Sequence, residues 1–129
     1  MELAPMLIKS AAQCRTFIAN DGCEIRELLH PANDAVDMGF SLAVAAVAPG
    51  AQSYRHRLCN TEVYYILAGA GVMHIGDDER PVSVGDAVLI PPNRVQWISN
   101  PHAEILRFVA IVSPPWRRQD DERLEPTTG

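Results

Sequence analysis

Glycine, proline and asparagine cut the chain between residues 39 and 115 into short runs, most of them β-branched or aromatic. The runs are 39–48 (GFSLAVAAVA), 63–67 (VYYIL), 72–75 (VMHI), 81–84 (PVSV), 87–90 (AVLI), 95–99 (VQWIS) and 105–112 (ILRFVAIV). The breaks between them are turn signals. So many short strands at close spacing predict an all-β barrel or sandwich. At 129 residues, 47% of them apolar, the chain is read as one domain with a real core.

Side chains two apart in a strand share a face. In the run 39–48, Phe40, Leu42 and Val44 therefore face one way, and the small Ser41, Ala43 and Ala45 the other. A face of small residues leaves room for a ligand or for another strand packed closely. The stretch 50–69 (GAQSYRHRLCNTEVYYILAG) is more polar. If it is extended, Gln52, Tyr54, His56 and Leu58 point together, with Arg55 and Arg57 opposed. Glu62, Tyr64 and Ile66 share a face by the same count. An imidazole and a carboxylate brought to one interior by adjacent strands can form a metal site.

Net charge is −5, which argues against nucleic acid as the main partner, because phosphate binding needs a basic face. No apolar run reaches membrane-spanning length, so no membrane partner is expected. The start, MELAPMLIK, has no signal-peptide pattern. Cys14, Cys23 and Cys59 are odd in number and match no CxxC pattern, which reads as a cytoplasmic protein with free thiols.

Towards the N-terminus, Ser10 and Gln13 could form a capping box opening a short helix that ends near residues 20–22, or residues 15–19 could be a strand. Residues 23–29 read as a strand stopped at His30-Pro31, with a loop at Asn33-Asp34. The expected organisation is an N-terminal segment (1–35) packing on the barrel, the barrel itself (36–115) and a polar tail (116–129) whose last five residues are disordered.

Two glycine-anchored spacings resemble the cupin superfamily. Its first motif is glycine, five residues, His-x-His, three or four residues, Glu, six residues, glycine. Gly50, His56, Glu62 and Gly69 fall on it, with Leu58 at the second histidine. Its second motif is glycine, five residues, Pro-x-Gly, two residues, His, three residues, Asn. Gly85, Pro91 and Asn100 match, Asn93 stands at the glycine and Gln96 at the histidine. The resemblance implies a cupin-type double-stranded β-helix, a jelly-roll barrel that is often a homodimer. It also implies a divalent metal (Mn, Fe, Ni or Zn). Here the ligands would be His56, Glu62 and Gln96, since some cupins use a glutamine amide oxygen. Such a site leaves coordination positions open to a small polar molecule. Isomerase, lyase or dioxygenase chemistry would be within its range.

Each residue also has a plainer reading. His56 could be satisfied by hydrogen bonds in a polar barrel mouth. Glu62 could pair with Arg94 or Arg107, because a buried carboxylate needs a metal, a cation or a proton. Gln96 must find partners in an otherwise apolar strand. Tyr54, Tyr64, Gln52 and Leu58 are expected to line the cavity and contact substrate. His74 is expected outward, His30 and His102 at the surface, and Cys59 in a loop near the ligands. Trp97 is placed opposite Gln96, and with Trp116 it is a candidate for a dimer contact. The alternative function is a metal-free, non-catalytic cupin that binds a small molecule at a degenerate metal site.

Overall fold

Strands form where alternation or β-branching dominates, and they end at the turn residues. A computed structural model describes residues 5–18 and 23–124. Its strands are β1 (Thr16–Ile18), β2 (Glu24–Leu29), β3 (Ser41–Val47), β4 (His56–Leu58), β5 (Thr61–Ala68) and β6 (Ala70–Ile75), followed by β7 (Asp78–Ser83), β8 (Ala87–Ile90), β9 (Val95–Ser99), β10 (Leu106–Ser113) and β11 (Asp121–Arg123). Two antiparallel sheets face each other as a jelly-roll barrel. One runs β1-β2-β3-β10-β5-β8 and the other β11-β4-β9-β6-β7.

The interior is packed at one end and open at the other. Along β5 the inward side chains are Glu62, Tyr64 and Ile66, and along β10 they are Val112, Ala110, Phe108 and Leu106. Ile66, Ile90, Ile98, Leu106 and Val47 fill the closed end, each almost fully buried. Gly71 lets the sheets approach there. A Cβ at that position would meet the Ser99 carbonyl oxygen at 2.6 Å and Leu106 Cδ2 at 2.7 Å. At the other end Ser41, Ala43 and Ala45 of β3 line a cavity, so the small face of that strand is the inward one.

Asn93, at the motif's glycine position, has φ +67°. Asparagine is among the few side chains that tolerate the left-handed region, so the turn survives without glycine. Asn100 is buried and holds three backbone groups: its Nδ2 donates to the Val47 and Glu104 carbonyls, and its Oδ1 accepts from His102 N–H.

The N-terminal part of the chain contributes a 3₁₀ turn at Ala11–Gln13 and then the strand β1. Ser10 makes no side-chain capping bond. The helix end expected near residues 20–22 lies outside the described residues. β1 and β2 extend the larger sheet, with β2 paired to β3. A one-turn helix, α1 (Pro31–Asp34), stands where a loop was expected. His30 is not a surface residue: it is buried at the N-cap of α1. Its Nδ1 accepts from Ala32 N–H, so Nε2 carries the proton and donates to the Trp116 carbonyl at 2.7 Å. The polar tail also does more than trail. After a 3₁₀ turn at Arg118–Asp120, β11 pairs with the edge strand β4. The five terminal residues expected to be disordered lie outside the described residues.

Candidate functional site

The open end is a cavity of about 450 Å³. Its wall is mostly apolar, with Phe17 and Ile25 from the first two strands, Ala43 and Ala45 from β3, and Phe108 and Ala110 from β10. Its polar lining includes Tyr54, His56, Glu62, Tyr64, Asp121 and Arg123.

The expected site residues separate on this map. Tyr54, His56, Leu58, Glu62 and Tyr64 all line the cavity. Gln52 does not: it is exposed, and its backbone bridges to Ser99. The parity count fails there because residues 53–55 are not strand, so the two-residue period is broken before β4 begins. Gln96 is directly opposite His56 in the β4–β9 register and only 1% exposed. It reaches Glu62 and Tyr64 by hydrogen bonds.

Glu62, Gln96 and Tyr64 form one chain of hydrogen bonds. Tyr64 Oη donates to Gln96 Oε1 at 3.2 Å, and Gln96 Nε2 donates to Glu62 Oε1 at 2.9 Å. Burial, with the Glu62 and Asp121 charges adding, pushes the Tyr64 hydroxyl well above its ordinary value. It therefore stays a donor, holds the amide oxygen of Gln96 and turns the amide nitrogen onto Glu62. The Tyr64 ring is itself packed on Phe108, with centroids 4.3 Å apart. Glu62 is 7% exposed, and among the described residues its partner is Gln96, not Arg94 or Arg107. Burial raises its carboxyl to about 7; the Gln96 bond opposes this and the Asp121 charge adds to it.

In this arrangement a metal on His56, Glu62 and Gln96 would have to share the Gln96 amide oxygen with Tyr64 or turn the amide. The one oxygen Gln96 could offer is engaged by Tyr64, and its nitrogen faces Glu62. Among the described residues no group of three or more His, Cys, Asp and Glu side chains is placed to hold a metal ion.

Sequence reasoning missed the contribution of the C-terminal strand. In the β11–β4 register Asp121 is opposite Leu58, and Arg123 is opposite His56. Directly opposed side chains share a face, so this short strand delivers an acid and a base to the cavity. Trp116 Nε1 donates to Asp121 Oδ2 at 3.2 Å, and the Arg123 guanidinium lies 4.2 Å above the Tyr54 ring. The alternation of Asp121, Glu122 and Arg123 was the one available signal, and without an apolar residue it reads as tail.

Other candidates fall elsewhere. His74 is on the outer side of the smaller sheet, stacked on Trp97 with rings 4° apart, and Arg55 packs 4.2 Å from the same indole. His102 is exposed. Cys59 borders a separate depression with His30, Asn60 and Asp120. Its thiol donates to Asn60 Oδ1, and desolvation moves it away from the reactive thiolate form.

The Cupin domain family model matches residues 43–112. An uncharacterized protein of Methanocaldococcus jannaschii, MJ1618, is 37% identical over 112 residues, which is 86% of this chain and 89% of that one. The polyketide cyclase RemF of Streptomyces resistomycificus superposes with a TM-score of 0.80 at 18% identity, over 95% of this chain and 88% of RemF. Streptomyces Pac13, a nucleoside dehydratase solved with uridine, superposes with a TM-score of 0.74 at 17% identity, over 97% and 95% of the two chains. At such identities the two solved structures testify to the fold alone. With the family model covering more than half of its length and both motif spacings folded into one barrel, this chain belongs to the cupin superfamily.

Proposed function

We propose that this protein binds a small molecule in its barrel and moves a proton to or from it through Glu62, in lyase- or isomerase-type chemistry. The observation that carries the reading is a buried carboxyl at a cavity wall, held by an amide instead of a cation. Gln96 fixes Oε1 of Glu62, and a proton or substrate atom would be exchanged at the carboxyl. A carboxyl raised to about 7 is divided between acid and base near neutral pH, the condition for efficient proton transfer. The largely apolar wall excludes water and suits the ring or chain of an organic molecule. Two structural neighbours are a cyclase and a dehydratase, which is compatible with such chemistry. Carbon-13 NMR titration of the Glu62 carboxyl in chelator-treated protein tests the reading. A midpoint near 7 is expected, and one near the ordinary carboxylate value overturns it.

A divalent metal on His56, Glu62 and Gln96 is the second reading, favoured by the direct opposition of His56 and Gln96 across β4 and β9. It requires Gln96 to turn its oxygen away from Tyr64. Equilibrium dialysis against Mn, Fe, Ni and Zn decides it. Stoichiometric uptake abolished by Gln96→Ala supports it, and uptake indifferent to that change overturns it. We also propose a homodimer formed through the outward apolar residues Tyr65, Leu67 and Leu89 of the larger sheet, in a cytoplasmic setting for a chain whose cysteines form no disulfide.

A further inference from the structure

Among the described residues, two buried polar atoms at this cavity have no hydrogen-bond partner: Tyr54 Oη and Asp121 Oδ1. Their residues line the same cavity, Asp121 from β11 and Tyr54 from the segment just before β4, and neither stands at a specified position of the two cupin motifs. Such atoms are rare in folded proteins and costly to keep, so each needs an explanation. The rest of each side chain is held in place. Asp121 Oδ2 is fixed by Trp116 Nε1, and Trp116 in turn is tied through its backbone, its carbonyl to His30 and its N–H to Ser41 Oγ at 2.9 Å. The Tyr54 ring is covered by Arg123. Both groups are therefore preorganised with one unmet bond each.

We infer that β11 completes the ligand site, and that Asp121 and Tyr54 select a neutral cyclic molecule bearing hydroxyl groups. Asp121 Oδ1 can only accept, so the ligand must bring an O–H or N–H donor to it. Tyr54 Oη donates as well as accepts, which suits a second hydroxyl on the same edge of the ligand. An organic anion can pair with Arg123, but it brings only acceptors to a carboxylate that already lacks a donor, whereas a hydroxylated ligand meets both unmet bonds. The ring of the ligand would rest on Phe108, Ala43 and Ala45. The inference rests on the cavity being the binding site, as proposed above, and adds the class of ligand and the residues that choose it.

The test uses the full chain, chelator-treated, with uridine and catechol as hydroxylated ring probes and benzoate and oxalate as anionic ones. Contact is detected by saturation-transfer NMR, and Kd is measured from shifts of the cavity tyrosines. The hydroxylated probes should bind in preference to the anions. Tyr54→Phe removes only an unpaired hydroxyl, so it should fold as the parent does while weakening those probes roughly five- to tenfold, the effect of one hydrogen bond. Asp121→Asn should weaken them by at least as much. The inference is overturned if benzoate or oxalate binds as tightly as the hydroxylated probes, or if Tyr54→Phe and Asp121→Asn both leave uridine and catechol unaffected. It is overturned equally if no hydroxylated probe binds at millimolar concentration. In that case the Glu62 titration still decides the proton-transfer reading independently.

Discussion

Replacing Glu62 with glutamine isolates the cost of burying this carboxyl. The amide has the same shape and keeps an acceptor for Gln96 Nε2, so packing and the hydrogen bond at 2.9 Å are preserved. In the unfolded chain the carboxyl titrates near 4.5, and in the barrel near 7. Below the lower value both states are protonated, and Glu62 takes nothing from stability. Between the two values the unfolded chain releases a proton that the folded chain keeps, so stability falls as pH rises. Above about 7 the loss is complete and constant. With an interval of about 2.5 pH units and 1.36 kcal/mol per unit, the full loss is about 3 kcal/mol. Urea unfolding followed by tryptophan fluorescence at pH 4, 5.5, 7 and 8.5 measures it. Glu62→Gln should match the wild type at the acid end and exceed it by about 3 kcal/mol at pH 8.5, with the gap opening between about 4.5 and 7. Asp34 and Asp120, whose carboxyls are lowered by Lys9 and Arg117, lose their contributions as pH falls, but both proteins share them and they cancel in the difference. A pH-independent difference, or a wild type that gains on the variant as pH rises, would refute the reasoning.

Three further outcomes are expected. Gln96→Leu strips partners from Tyr64 Oη and Glu62 together; it should cost about 2–4 kcal/mol in urea unfolding and raise the Glu62 midpoint further, and a loss below about 0.5 kcal/mol would contradict the hydrogen-bond chain. Gly71→Ala drives a methyl into the Ser99 carbonyl and Leu106, a backbone contact that cannot swing aside; it should cost about 1–3 kcal/mol, and an unchanged melting temperature would contradict the close approach. Tyr65→Glu combined with Leu89→Glu should convert a dimer to a monomer of 14.2 kDa in light scattering, whereas a wild type already at that mass removes the proposed interface.

Where the backbone is regular, local rules reached far into this molecule. Period-two alternation grouped Ser41, Ala43 and Ala45 on one face of β3 and Glu62 with Tyr64 on one face of β5; that the small face of β3 is the inward one came from the structure. The motif spacings carried the barrel itself and named His56, Glu62 and Gln96 together; the register that sets Gln96 opposite His56 came from the structure. Where the strand is interrupted the same rule failed. Gln52 was counted inward across three residues that are not strand, and it lies exposed.

The sequence by itself determined the barrel, the strands that bring His56, Glu62 and Gln96 to one region, and the small face that leaves the cavity open. Only the tertiary structure decided which atoms meet there. The partner of Glu62 is an amide nitrogen because Tyr64, two residues along the same strand β5, claims the amide oxygen. That choice depends on angles and distances between sheets, which no residue spacing encodes. The same holds for β11: Asp121 and Arg123 carry no apolar periodicity, and they become cavity residues only because the unpaired edge of β4 is there to receive them.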